Sequence, residues 1–106
     1  MKKYYVYVIE LNKKVSTHRK FQVKNPKYIR GNGCFYFGQS AKKSEIRFDQ
    51  HKESYKANYF AKLYGIKLLQ VFYEKYIPIR TRKDTENIEF MLGKALRTKH
   101  FEVWFN

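Results

Sequence analysis

Tyr4-Tyr5-Val6-Tyr7-Val8-Ile9-Glu10-Leu11 and Cys34-Phe35-Tyr36-Phe37-Gly38 are the two runs on which the fold turns. Each is short and dense in aromatic or β-branched residues, the composition of a buried strand. The second comes after Gly31-Asn32-Gly33, a turn signal whose residues tolerate positive φ. Between them lies a polar, basic connection from Asn12 to about Asn32. From Leu11 to Ser44 there are nine Lys or Arg and no Asp or Glu, an asymmetry more informative than the overall charge.

Outward from these strands, Ser44 is placed to cap a helix that starts at Glu45 and runs to about Tyr55. The Glu45 carboxylate suits the positive end of that helix. A second helical piece, about Ala57 to Tyr64, stops at Gly65. Ile66 to Tyr73 reads as a third strand, and Pro78 interrupts the chain beyond it. In the last helix, about Thr85 to Thr98, Ile88, Met91, Leu92, Ala95 and Leu96 share one apolar face. Phe101 to Phe105 reads as a short closing strand or a docked tail. The order β, β, α, (α), β, α with short connections predicts an α+β domain, an antiparallel or mixed sheet with helices packed on it.

The 106 residues are expected to form a single domain, 1–106, with no second catalytic or recognition domain. A net charge of +14 calls for an acidic partner, while 43% hydrophobic residues, including 10 Tyr, 9 Phe and one Trp, suffice for a core. The single Cys34 excludes an internal disulfide and points to a reducing, cytoplasmic setting. His18, His51 and His100 are too scattered for a structural zinc site. No apolar run approaches the ~20 residues that span a bilayer, so no membrane association is expected.

Tyr5-Val6-Tyr7, Tyr36-Phe37-Gly38, Arg47 with His51, and Glu89 occur in the order and on the elements that resemble the GIY-YIG nuclease superfamily. The resemblance covers essentially the whole chain. The first triplet reads Tyr-Val-Tyr in place of Gly-Ile-Tyr. Tyr7 and Tyr36 are separated by 29 positions, which implies a basic insertion at about 12–32 between the first two strands. The resemblance implies a small, mostly antiparallel three-stranded sheet flanked by helices, and a metal-dependent endonuclease that hydrolyses phosphodiester bonds in DNA. In that scheme Tyr7 and Tyr36 handle the attacking water, Arg47 stabilises the phosphate, His51 assists in proton transfer or phosphate contact, and Glu89 holds Mg2+ or Mn2+. Asn106 stands where some relatives place a late asparagine.

The chemistry also makes sense from the residues alone. Phosphodiester hydrolysis needs a base or water-positioning group, positive charge on the phosphate and usually a carboxylate-held dication. Arg47 and His51 at i, i+4 share a helix side, so guanidinium and imidazole can converge on one phosphate. Glu89 borders the apolar face of the last helix. A Tyr7 phenol acts as a base near neutral pH only if a neighbouring cation such as Arg47, or metal-bound water, eases its deprotonation. Taken singly, the tyrosines read as strand packing, Arg47 and His51 as a solvated helix face, and Glu89 as a partner of Lys94 or Arg97. Those separate readings do not predict the ordered set.

The basic residues Lys13, Lys14, Arg19, Lys20, Lys24, Lys27 and Arg30 are candidates for sequence-independent phosphate contact, with bases stacking on Phe21 or Tyr28. Lys42, Lys43, Lys52, Lys56 and Lys62 extend the track along the helices. A chain that cuts both strands of a duplex with one site calls for a homodimer. The rival reading is a noncatalytic basic module that binds nucleic acid on the same fold. A weaker third is a basic protein that engages an acidic protein surface.

Overall fold

The two decisive runs pair with each other. Strand β1 (Tyr5–Leu11) and strand β2 (Cys34–Ser40) form an antiparallel ladder from Tyr5 opposite Ser40 to Leu11 opposite Cys34. Both strands are covered on both faces, which is why they lack the polar alternation of a half-exposed sheet. The computed structural model describes residues 3–41, 43–52, 59–76 and 79–105, and the side chains of all of these except Ser44, Glu45 and His51.

The sheet has four strands in the order β3-β1-β2-β4 and is mixed, in place of the three antiparallel strands expected. Strand β3 (Gly65–Leu68) lies antiparallel on the outer side of β1, and strand β4 (Glu102–Phe105) runs parallel to β2. The third strand is shorter than expected because Leu69 N–H donates to Val8 C=O and the chain then curls into a 3-10 turn at Gln70–Phe72. That turn buries Tyr73 and sets Phe72 edge-on to Phe35.

The parallel fourth strand results from how the last helix ends. Helix α4 spans Arg82–Thr98; the Thr81 hydroxyl caps it by accepting from Asp84 N–H. His100 takes a left-handed φ of 69°, with His100 N–H on Arg97 C=O and Phe101 N–H on Leu96 C=O. These two bonds are the Schellman pair that reverses a chain at a helix C-terminus. Glu102 N–H then donates to Gly33 C=O, and the segment enters the sheet beside β2.

Helix α4 turns a different side inward from the one expected. Thr85, Glu89 and Gly93 are buried, with Ile88, Leu92 and Leu96 flanking them, whereas Met91 is 48% exposed and Ala95 is exposed. A Cβ on Gly93 would collide with the Phe105 ring, so this glycine lets α4 sit directly on β4.

The basic insertion is folded. A 3-10 turn at Lys13–Thr17, capped by the Asn12 side chain, leads into helix α1 (Arg19–Lys24). Asn25 docks it: buried, it accepts from Val103 N–H at 2.8 Å and Arg97 Nε–H at 3.0 Å, and donates to Phe21 and Val103 C=O. The Asn25 amide thus occupies the outer edge of β4 as another strand would. Helix α2 (Ser44–Lys52) and helix α3 (Tyr59–Tyr64) complete the layer over β1.

Asn25→Ala removes every bond of that amide and leaves the Val103 N–H unpaired. We expect a loss of about 2–4 kcal/mol, read as a lower urea midpoint, with the amides of β4 losing hydrogen-exchange protection first.

Candidate active site

Strand alternation and the register divide the side chains between two faces. Tyr7, Ile9, Cys34, Tyr36, Gly38 and Trp104 share one face, with α1, α2 and α3 over it. Val6, Val8, Phe35, Phe37, Gln39 and Phe105 share the other, where α4 packs.

On the first face Tyr7 stands opposite Gly38, and a Cβ at Gly38 would fall inside the Tyr7 phenol and its hydroxyl. The glycine lets the ring lie across the neighbouring strand. The Tyr7 and Tyr36 rings are tilted at 41° with centroids 6.3 Å apart. The Arg47 guanidinium of α2 donates to the Tyr7 oxygen, and the Tyr36 hydroxyl lies near enough to that oxygen to lower its pKa. Arg47 also holds Gln50 Oε1 through Nη1 at 3.1 Å, which steadies the guanidinium from its own helix.

Both phenols have 0% exposure. Burial pushes Tyr7 up to about 12 from its ordinary 10.0, and Arg47 only partly offsets this. Tyr36 is raised further, by burial and then by Tyr7 itself. The easing of Tyr7 deprotonation by Arg47 is therefore outweighed, and at neutral pH both phenols are protonated hydrogen-bonding groups. Arg47 is half-buried, so its guanidinium connects the buried phenols to the surface.

Glu89 approaches from the α4 layer. It is 5% exposed, and it accepts a hydrogen bond from Gln39, whose Oε1 in turn accepts from Arg82 Nη1 at 3.1 Å. Its charge reaches Tyr7 and Tyr36, raising both. Burial, then Glu86 one turn away, pushes the Glu89 carboxyl up to about 7, against Gln39 and Arg82. Among the described residues Glu89 Oε2 has no hydrogen-bond partner. Neither Lys94 nor Arg97 pairs with it: Lys94 lies over the Phe90 ring, and Arg97 serves Asn25 and the Val103 carbonyl.

The structure thus gathers Tyr7, Tyr36 and Arg47 and brings Glu89 within electrostatic range. The His51 side chain, Lys42, Lys56 and Asn106 lie outside the described residues, although the α2 backbone sets His51 one turn after Arg47. Lys13, Lys14, Arg19, Lys20, Lys24, Lys27, Arg30 and Lys43 are all exposed. None of these eight forms an ion pair with a described acid, whereas Lys67 pairs with Glu10 at 4.0 Å. Lys52 instead ties α2 to the end of α3 by donating to the Lys62 and Gly65 carbonyls. Phe21 is fully buried and cannot receive a base, whereas Tyr28 is half-buried, its hydroxyl donating to Asn32 C=O.

Sequence reasoning missed Arg82 and Glu86. Glu86 stands three positions before Glu89, a spacing that sets two acids on one helix side. Arg82 carried no signal, because its role depends on the inward turn of α4. No family model, curated protein or solved structure matches the chain.

Two outcomes test this geometry. Gly38→Ala drives a methyl into Tyr7 and should cost about 1–3 kcal/mol, with loss of the near-ultraviolet tyrosine signal of the pair. For Glu89, a folded carboxyl near 7 against an ordinary 4.5 means that the folded chain binds more protons between those values. Stability therefore falls as pH rises through that window. Glu89→Gln should flatten the fall and gain up to about 3 kcal/mol at pH 8, measured by urea unfolding at pH 5 and 8 in chelator.

Proposed function

We propose that the chain is a metal-dependent endonuclease of the GIY-YIG type that hydrolyses phosphodiester bonds in DNA. The grouping of Tyr7, Tyr36 and Arg47, with the buried Glu89 carboxyl within electrostatic range, carries this reading. Arg47 binds the scissile phosphate and offsets the charge it gains as water attacks. Tyr7, with Arg47 on its oxygen, is assigned to orient the water or a phosphate oxygen through its own proton. Tyr36, beside it, is assigned to assist. His51, one helical turn from Arg47, is assigned to phosphate contact or proton transfer.

The donor set fits a magnesium or manganese ion of limited protein ligation. Glu89 presents a buried oxygen without a partner, and Glu86 adds negative charge. Magnesium commonly takes one or two carboxylates and completes its shell with water and phosphate oxygens. No group of three or more His, Cys, Asp or Glu close enough to share an ion occurs among the described residues, so a closed protein cage does not fit. A bound dication supplies Lewis-acid stabilisation of the phosphate charge. It also favours the ionised form of Glu89, which burial disfavours.

The exposed, acid-free cations are assigned to the DNA backbone. No described helix is long and apolar enough to cross a membrane, and the buried free Cys34 suits the reducing cytoplasm. Cutting both strands of a duplex calls for a homodimer. The burial of both phenols favours one other reading, a noncatalytic module that binds nucleic acid on the same frame.

Purified protein incubated with labelled single-stranded, duplex and branched DNA should cleave with magnesium and stop in chelator. Arg47→Ala and Glu89→Ala should each lower the rate by at least about a hundredfold while DNA binding in chelator persists. Wild-type turnover by Glu89→Ala overturns the metal assignment. Binding without turnover in either metal establishes the module in place of the enzyme.

A further inference from the structure

One aromatic on the basic side is reachable where Phe21 is not. Trp104 of β4 is half-buried, its indole stacked on Phe21 with centroids 5.0 Å apart and 26° between the planes. The ring lines two concavities, one of about 250 Å³ with Lys24, Arg97 and Phe105, and one of about 550 Å³ with Arg19, Lys20, Val23 and Lys24. A third, of about 270 Å³, continues past Lys24 and Arg97 to Lys27 and Lys94. Lys24 borders all three, so they adjoin one another, and together they are called the groove. No described acidic residue lines any of them.

The groove joins two surfaces that usually lie apart on a protein, an exposed apolar patch and concentrated positive charge. Val23 is 66% exposed beside the indole, and Arg19, Lys20 and Lys24 stand around them, all solvent-facing. Cations alone would suit any anion, and an apolar floor alone would suit any greasy side chain. The combination suits a polyanion that carries flat apolar rings between its charges. In a duplex those rings are stacked inward, whereas an unpaired strand offers them to an aromatic platform. The groove also lies one strand from the proposed site, because Trp104 pairs with Tyr36 across β2 and β4.

We propose that this groove binds single-stranded DNA, with an unpaired base stacked on Trp104 and the adjoining phosphates held by Arg19, Lys20 and Lys24. This deepens the nuclease reading and rests on it for the choice of DNA. It makes the preferred substrate a strand with an unpaired stretch close to the scissile bond.

Trp104 is the sole tryptophan of the chain, so its emission reports on the groove directly. The intact protein is titrated in chelator, where no cleavage intervenes. Short oligothymidylate should quench the emission to saturation, while an abasic strand of equal length and charge, a hairpin-closed duplex and polyglutamate should not. By the anisotropy of a labelled strand, Trp104→Ala should bind about tenfold more weakly. Lys24→Ala should lower the slope of log affinity against log salt by about 0.7. The abasic comparison uses unaltered protein and stands whether or not the tryptophan variant folds.

Equal quenching by the abasic strand or by polyglutamate overturns the stacking assignment. Tighter binding of the duplex overturns the preference for an unpaired strand, and tighter binding of RNA of the same sequence overturns the choice of DNA. A protein that cleaves DNA but shows no quenching keeps the nuclease and loses the groove. Quenching without cleavage does the reverse.

Discussion

Tyr7 lies across the backbone of β2 because Gly38 opposite it has no side chain, and the rest of the structure is arranged around that contact. The close approach brings the Tyr7 oxygen to the Tyr36 hydroxyl on one side and to α2 on the other, where Arg47 completes the cluster. It also requires the β1–β2 ladder to keep its register, since a slip of one residue would send Tyr7 to the α4 face. Seven consecutive pairs hold it.

The cluster is an electrostatic compromise dominated by desolvation. Burial raises Tyr7, Tyr36 and Glu89 together, and the nearby arginines recover only part of that cost. Strongly perturbed groups of this kind cluster at functional sites. Cys34 illustrates the same burial without that character. Its thiol donates to Glu102 Oε1 at 3.4 Å and is pushed up to about 12 chiefly by burial, which makes it an inert packing group.

Much of this was legible in the sequence, for physical reasons that can be named. The two central strands announce themselves because both of their faces are covered, so aromatic and β-branched residues run without interruption. The Tyr7, Tyr36 and Arg47 grouping arises from those strands and from the helix after β2. The hidden features depend on contacts between distant segments. Nothing near His100 marks a Schellman turn, since glycine is its usual residue, and without that turn the parallel course of β4 is invisible. The inward side of α4 is set by Gly93 against Phe105, a fit between surfaces that periodicity within the helix does not contain. Likewise Phe21 and Trp104 look interchangeable as stacking aromatics, and only their packing order decides that the tryptophan is the outer one.

The parallel pairing of β4 on β2 has a kinetic consequence. Cys34 meets Glu102 and Asn25 meets Val103 across 68 and 78 residues of chain, whereas β1 and β2 close through the small folded insertion between them. Contacts of such separation wait on loop closure and form late. The tyrosine pair therefore assembles early, within the β1–β2 hairpin. The last strand, with its indole and the groove around it, is added to a frame already standing.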